Sequence, residues 1–294
     1  MNAPDFVRLA RLALLEDLAD GPDVTTESTI SADDVSTARL VSREPGIIAG
    51  LDAIAATFIA LREPDIAAVA GCAAAPTVEL LLADGSASAP GDTLATVTAP
   101  TRALLVAERT MLNILSHASG IATATRAWVD AVEGTGARIR DTRKTLPGLR
   151  DVQKYAVRIG GGTNHRMGLG DAALIKDNHI AVAGIVDALA AVREHSPRVS
   201  CEVEVDTLDQ LQLLLDLPAP PELVLLDNFS VADTAEAVRR RDGLHRSGGA
   251  RVELESSGGL SLDVARAYAL AGVDYLAVGA LTHSVSALDI GLDY

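Results

Sequence analysis

Three residues stand apart by type. The chain of 294 residues holds only three lysines, Lys144, Lys154 and Lys176, against 22 arginines. Lysine is a compact charge whose basicity its surroundings can tune, whereas arginine is a planar fork that meets a carboxylate or phosphate with two parallel bonds. A sequence that otherwise uses arginine keeps its lysines for work that arginine does not do. Residues 138–179 contain nine Lys/Arg and four Asp/Glu, a balance of +5, while the remainder contains 16 and 36, a balance of −20. An acidic chain that gathers its cations in one segment points to a pocket for a small, highly charged anion. Lys176 closes the apolar run ALIK. It suits either a Schiff-base nucleophile or a fixed charge for phosphate or carboxylate, and spacing does not choose between them. Lys154, in the helical stretch DVQKYAVR, reads as a surface charge.

The cationic window has two motifs. DTRKTLPGLR reads as a basic loop after a strand, carrying Arg143 and Lys144, and IGGGTNHRMGLGDA carries His165 and Arg166. The second is rich in glycine but lacks the spacing and the later acidic residue of a dinucleotide fingerprint. Walker A, HExxH and CxxC are absent from the sequence. Downstream, Glu204, Asp227 and Glu255 fall at the ends of apolar runs. Carboxylates there suit Mg²⁺ held by few protein ligands plus substrate phosphates, or the hydroxyls of a sugar. The small-residue turns Ser256-Ser257-Gly258-Gly259 and Val278-Gly279-Ala280 follow the last two runs. Backbone N–H groups in such turns can bind a phosphate.

Those residues need a scaffold, and the apolar runs supply its rhythm. ALIKDN, CEVEVD, LVLLDN, RVELESSGG and YLAVGA recur with gaps of 28, 23, 28 and 24 residues between Lys176, Glu204, Asp227, Glu255 and Gly279. Strand, helix and two loops need about that length, as in a βα barrel, where chemistry sits at the C-terminal ends of the strands. The runs read as parallel strands buried on both faces. Before them, residues 4–18 have helical spacing, DGPDVTTEST reads as a loop, and residues 36–98 read as short strands and turns around the helix LDAIAATFIALRE. A helix follows over residues 102–117, with Arg109 falling by angle within its apolar stripe. That arginine is either paired at the core edge or aimed into a site or an interface.

Bulk properties narrow the class. A net charge of −15 excludes a broad basic face for nucleic acid and argues against an anionic membrane surface. Two cysteines make no disulfide framework, and no apolar run is long enough to span a bilayer. The N-terminal stretch lacks the basic region and apolar run of a signal peptide, so the expected location is the cytoplasm.

The motifs together resemble the quinolinate phosphoribosyltransferase family. The resemblance is carried by AERTMLNILSHASGIAT, DTRKTLPGLR, KYAVRIGGGTNHRMGLGDAALIKDNHI, EVEVDTL, LLDNF, ELESSGGL and GVDYLAVGALTHS, in that order. It implies an α/β protein with an N-terminal α/β sandwich domain and linking helix over residues 1–116. An incomplete, seven-stranded α/β barrel would follow over residues 117–294. It implies reaction of quinolinate with phosphoribosyl pyrophosphate and Mg²⁺, giving nicotinate mononucleotide, pyrophosphate and CO₂. Carried over by motif, Thr142, Arg143, His165 and Arg166 would hold quinolinate, with Lys144 and Lys176 beside the reacting groups. Glu204 and Asp227 would take ribose hydroxyls or Mg²⁺, directly or through water. Ser257, Gly258, Gly259, Val278, Gly279, Ala280 and His283 would take the phosphate end. A homodimer or dimer-based hexamer would bring Arg109 in from the neighbouring subunit. The alternatives are a phosphoribosyltransferase acting on nicotinate without decarboxylation, an aldolase using Lys176, and a phosphate-binding barrel without activity.

Overall fold

The structure, a computed structural model, describes residues 4–73, 75–246, 248 and 251–294. Its first elements are α1 (Phe6–Asp17), α2 (Val24–Thr29), β1 (Val35–Ser42), β2 (Gly46–Ile47), α3 (Asp52–Leu61) and α4 (Pro64–Ala70). Then come β3 (Thr77–Leu80), β4 (Ala87–Ser88), β5 (Thr93–Pro100), α5 (Thr101–Ala131), β6 (Arg138–Arg140) and α6 (Arg150–Ile159). The rest is β7 (Ala173–Ile175), α7 (Asp177–Ala183), α8 (Ile185–His195), β8 (Cys201–Val205), α9 (Leu208–Leu215), β9 (Leu223–Asp227), α10 (Val231–Arg246), β10 (Glu253–Ser257), α11 (Leu262–Ala271), β11 (Tyr275–Ala277), α12 (Ala280–His283) and β12 (Ile290–Asp293). The chain forms two compact units: Met1–Arg126 with Leu146–Gly160 and Ser284–Tyr294, and Ala127–Thr145 with Gly161–His283. The division expected between residues 116 and 117 falls inside α5.

In the first unit, an antiparallel sheet runs β12-β1-β5-β3. Its core holds Leu40, Leu94 and Val97 from the strands, and α3 buries Ile54, Phe58 and Leu61. The stretch DGPDVTTEST, expected as a loop, contains α2. Asp23 caps it by accepting the backbone N–H groups of Thr25 and Thr26. Helix α5 runs 14 residues past the expected end at 117. Gly120 continues it because the segment near Ser286 packs there. A Cβ at position 120 would lie 2.1 Å from the Ser286 carbonyl oxygen. Arg109 lies off the buried face of α5. That face is centred on Leu104, Ala107, Met111 and Leu115, and Arg109 is exposed. Lys154, expected at the surface, is fully buried on α6 beside Gln153, Ala156 and Val157, and it has a polar partner there. A buried ammonium requires such a partner.

In the second unit, six parallel strands run β6-β11-β10-β9-β8-β7. On the free side of β6, Arg140 makes one further parallel bridge, to Thr163. Thr163 stands where the seventh strand belongs, reduced to a single bridge. The order is therefore that of a seven-membered barrel which, among the described residues, has no pairing between Thr163 and β7.

The strands were expected to be apolar on both faces, and they are not. Val203, Val205, Val224, Leu226, Leu254 and Leu276 are buried on one face. The alternate residues on the other face include Arg138, Arg140, Glu202, Glu204, Glu253 and Glu255. Contacts between Arg140 of β6, Glu202 of β8 and Glu255 of β10 cross over intervening strands, so that face points into the barrel. Branched aliphatic residues usually fill this space.

Gly120→Ala should destabilise the first unit by about 1–3 kcal/mol through overpacking against a backbone carbonyl. The check is the denaturant midpoint, and an unchanged midpoint contradicts the close approach.

Candidate active site

A cavity of about 400 Å³ opens at the C-terminal ends of the barrel strands. Its walls come from successive strand ends: Thr142, Arg143 and Lys144 after β6, Leu174 and Lys176 at β7, Glu204 on β8, Leu225 and Asp227 on β9, Glu255 and Ser257 on β10, and Ala277 on β11. His165 and Arg166 follow Thr163 and complete the lining. Ten of the expected residues, Glu255 included, thus meet in one cavity of ordinary ligand size.

The loop after β6 is fixed locally. The Lys144 backbone N–H donates to Thr142 Oγ1 at 3.0 Å, and the Lys144 carbonyl accepts from buried Thr282 Oγ1 at 2.8 Å. Gly279 lets this loop approach: a Cβ there would lie 3.2 Å from Lys144 Cδ, 3.5 Å from Thr142 Oγ1 and 3.3 Å from His283 Nε2. Gly279 and His283 therefore sit against the Thr142–Lys144 wall without lining the cavity. Val278 is buried, its N–H donating to the Arg140 carbonyl at 2.8 Å, and Ala280 begins α12. Gly258 lies at φ +92°, where a Cβ would come within 2.2 Å of Asn228 Oδ1, and Gly259 lies at φ +59°. Both turn the chain sharply after Ser257. Helix α12 has four residues, too few to offer a phosphate a helix N-terminus.

The cationic wall is short of partners. The Nε atoms of Arg143 and Arg166 are buried and accepted by no group among the described residues. Burial, and then the charge of Arg143, push the Arg166 guanidinium below its usual range. Two half-buried guanidiniums that repel one another are stabilised by an anion between them. Opposite them, Lys176 Nζ donates to Glu204 Oε2 at 2.8 Å. Lys176 is half exposed and ion-paired, the setting of a fixed charge rather than of a desolvated amine nucleophile. The Asp227 carboxyl is pushed up by burial first, then by the charges of Glu204 and Asp206. Glu204 and Asp227 thus form an oxygen pair with surplus negative charge, which fits a divalent cation held by few protein ligands.

Beneath this surface is a layer that the strand-end reading missed. Arg140 Nη1 lies 2.7 Å from Glu255 Oε2 and 4.0 Å from Glu202 Oε2. His165 Nε2 lies 2.9 Å from Glu202 Oε2 and 3.8 Å from Glu255 Oε1. His165 Nδ1 accepts the Arg166 backbone N–H at 2.7 Å, which places the ring proton on Nε2, donating to Glu202. The His165 backbone N–H in turn donates to Asp141 Oδ1 at 2.8 Å. Glu255, expected as a strand-end ligand, is wholly buried at the base of the cavity. Glu202 and Arg140 were not singled out from the sequence. The signal was there in CEVEV, where Glu202 and Glu204 alternate onto the same face, and in RIR, where Arg138 and Arg140 do the same.

Arg109 lies on α5 in the first unit and is not among the lining residues.

Comparison with known proteins gives a consistent picture. The family model described as quinolinate phosphoribosyl transferase, C-terminal domain, matches residues 121–293, and that of the N-terminal domain matches residues 23–119. The chain is 58% identical over 284 residues to the carboxylating nicotinate-nucleotide pyrophosphorylase of Mycobacterium leprae, covering 96% of this chain and 95% of that one. It is 37% identical to a probable enzyme of the same name from Bacillus subtilis, covering 100% and 94%. Among solved structures, the nicotinate-nucleotide pyrophosphorylase of Francisella tularensis superposes with a TM-score of 0.87 at 36% identity, covering 99% of this chain and 97% of that one.

Burial pushes both Glu202 and Glu255 up to about 7. A raised pKa means that the folded state holds more protons than the unfolded state between the ordinary carboxylate range and about pH 7. The stabilising contribution is full below that window and is lost as pH rises through it. The denaturation midpoint should therefore fall from about pH 5 to about pH 7, and Glu255→Gln should flatten the fall. A slope equal to that of the unaltered protein contradicts the assignment.

Proposed function

The chain belongs to the quinolinate phosphoribosyltransferase family, and on that premise we propose how its own residues carry the reaction. It transfers the phosphoribosyl group of phosphoribosyl pyrophosphate to quinolinate with decarboxylation, yielding nicotinate mononucleotide, pyrophosphate and CO₂, a step of de novo NAD biosynthesis. One observation carries the assignment of the cavity to quinolinate: the buried, partnerless Nε atoms of Arg143 and Arg166 in a wall that also holds Lys144 and Lys176. Quinolinate brings two carboxylates, and a guanidinium meets each of them with paired hydrogen bonds. A mononegative base such as nicotinate would leave one of these cations without a partner.

Arg143 and Arg166 take the carboxylates, with Thr142 and His165 completing that wall. The ring nitrogen is already a nucleophile, so no general base is needed to begin. It attacks C1 of the ribose as the C1–O bond to pyrophosphate breaks. Glu204 and Asp227 face the positive charge that develops at C1, while Lys144 and Lys176 stabilise the departing pyrophosphate. Glu204 and Asp227 are the residues that would hold Mg²⁺, which would supply further charge neutralisation for the leaving group. The C2–CO₂ bond then breaks, and the electron pair left on C2 is stabilised by the adjacent positive ring nitrogen until C2 takes a proton. Ser257 and the turns at Gly258-Gly259 and Val278-Gly279-Ala280, with His283, receive the phosphate end.

The chain acts as a homodimer or an assembly of dimers, with Arg109 of the partner subunit as a further cation for the substrates. The exposure of Arg109 on a helix whose other face is apolar supports this. A cytoplasmic location fits two cysteines that are both free, and no helix among the described residues is long and apolar enough to cross a membrane.

Quinolinate plus phosphoribosyl pyrophosphate should release CO₂ and pyrophosphate in equal amounts. Turnover of nicotinate and not of quinolinate contradicts the proposal. Arg109→Ala and Lys144→Ala should each abolish activity, and mixed dimers of the two should recover up to half of it, since one site keeps both native residues. No recovery in verified mixed dimers contradicts a shared site.

A further inference from the structure

The charged layer inside the barrel has no part in the reaction as described, yet it costs more to bury than the aliphatic filling it replaces. Glu202 and Glu255 have side chains 6% and 0% exposed, and each has one carboxylate oxygen without a hydrogen-bond partner. His165 Nε2 and the two carboxylates approach within 4.8 Å of one another, near enough to hold a metal. Arg140 already supplies the cation, 2.7 Å from Glu255 Oε2 and half-stacked over Tyr275 with its Cζ 4.8 Å from the ring centroid. The layer is thus an ion cluster bound together within the barrel, and it meets the cavity at the Glu255 carboxylate in its base and at the imidazole of His165 in its wall.

We propose that Glu202 is a positioning residue for quinolinate binding: braced by the Arg140–Glu255 pair, it holds His165 by the Nε2–H and so fixes the ring's tautomer and plane at the cavity wall. The inference rests on the reading of this cavity as the quinolinate site. The geometry is that of a buried carboxylate behind a functional imidazole, where the hydrogen bond on one ring nitrogen decides what the other presents. Here Nδ1 is left as an acceptor on the side of Arg166, whose N–H it takes at 2.7 Å. Glu202 therefore also ties the ring to the guanidinium-bearing residue next to it. Without that anchor the ring keeps only its Nδ1 contact to the Arg166 backbone N–H, and the wall facing the substrate carboxylate is less firmly held. Arg140 and Glu255 act one step further back. Their 2.7 Å contact holds the guanidinium 4.0 Å from Glu202 Oε2, which braces that carboxylate against the imidazole.

The test is a double-mutant cycle on the full-length enzyme, with quinolinate varied at saturating phosphoribosyl pyrophosphate. Glu202→Gln is expected to raise KM for quinolinate about tenfold, with kcat falling less than KM rises, because outer partners of functional histidines typically matter by one to two orders of magnitude. KM for phosphoribosyl pyrophosphate should not follow. In a His165→Ala background the same Glu202→Gln change should alter kcat/KM for quinolinate by less than about twofold, since the group it positions is gone. Equal effects in the two backgrounds overturn the inference, as does a Glu202→Gln enzyme with the native KM. Thermal melting verifies folding. Should Glu202→Gln not fold, Glu202→Asp keeps the charge, draws the carboxylate back by one methylene and is expected to show the same coupling. CO₂ release by the unaltered enzyme tests the quinolinate assignment separately, so failure of one idea is distinguishable from failure of the other.

Discussion

Burying two glutamates inside a barrel is the constraint around which the active unit is arranged. An isolated ionised carboxylate in that environment costs several kcal/mol, and removing one member of a buried pair costs about 3–5 kcal/mol. Glu202 and Glu255 are tolerable only because Arg140 and His165 reach them across intervening strands at 2.7 to 4.0 Å. Four strand or near-strand positions are thereby bound together from within. The arginines next along the chain then have no carboxylate left to them. Arg143 and Arg166 each keep a buried Nε without a partner. The internal carboxylates are taken by the Arg140 guanidinium and the neutral His165 imidazole, and the cavity wall remains open to an anion from outside.

Charge is layered in the same way toward solvent. Glu204 and Asp227 sit nearer the mouth than Glu202 and Glu255, and Lys176 makes its ion pair with Glu204. The surplus negative charge that lifts the Asp227 carboxyl marks where a cation is welcome, just as the repulsion between Arg143 and Arg166 marks where an anion is. A reaction that joins a dianion to a polyphosphate needs both regions within one molecule's length.

The sequence showed which residues form the wall and hid how the wall is supported. Lys176, Glu204 and Asp227 were legible because polar residues closing apolar runs at a βα spacing lie at one end of a barrel, and Lys144 and His165 because they stand in the segment that gathers the cations. The supporting layer was obscured because Glu202 lies inside an apolar run short enough to be read as buried on both faces, and because Glu255, read as a strand-end ligand, is wholly buried. Only the period-two alternation, with Val203 and Val205 outside and Glu202 and Glu204 inside, separates the two cases. Lys154 was misplaced because local helical spacing on α6 does not reveal how wide a face will be buried. Strand β12 was missed for a different reason. It pairs with β1 some 250 positions earlier, from Arg39↔Asp293 to Ser42↔Ile290, and no local pattern encodes such a contact. Gly120 belongs with it, since its place in mid-helix is explained only by the returning C-terminal segment.

The central claim is that the Nε atoms of Arg143 and Arg166, without an acceptor among the described residues, receive the two carboxylates of quinolinate. A crystal structure of the protein with quinolinate bound tests it most directly. The account predicts that each carboxylate accepts hydrogen bonds from one of these guanidiniums, with the Arg140–Glu255 and His165–Glu202 contacts intact beneath. Quinolinate lying elsewhere, or bound with both Nε atoms still without an acceptor, would contradict it.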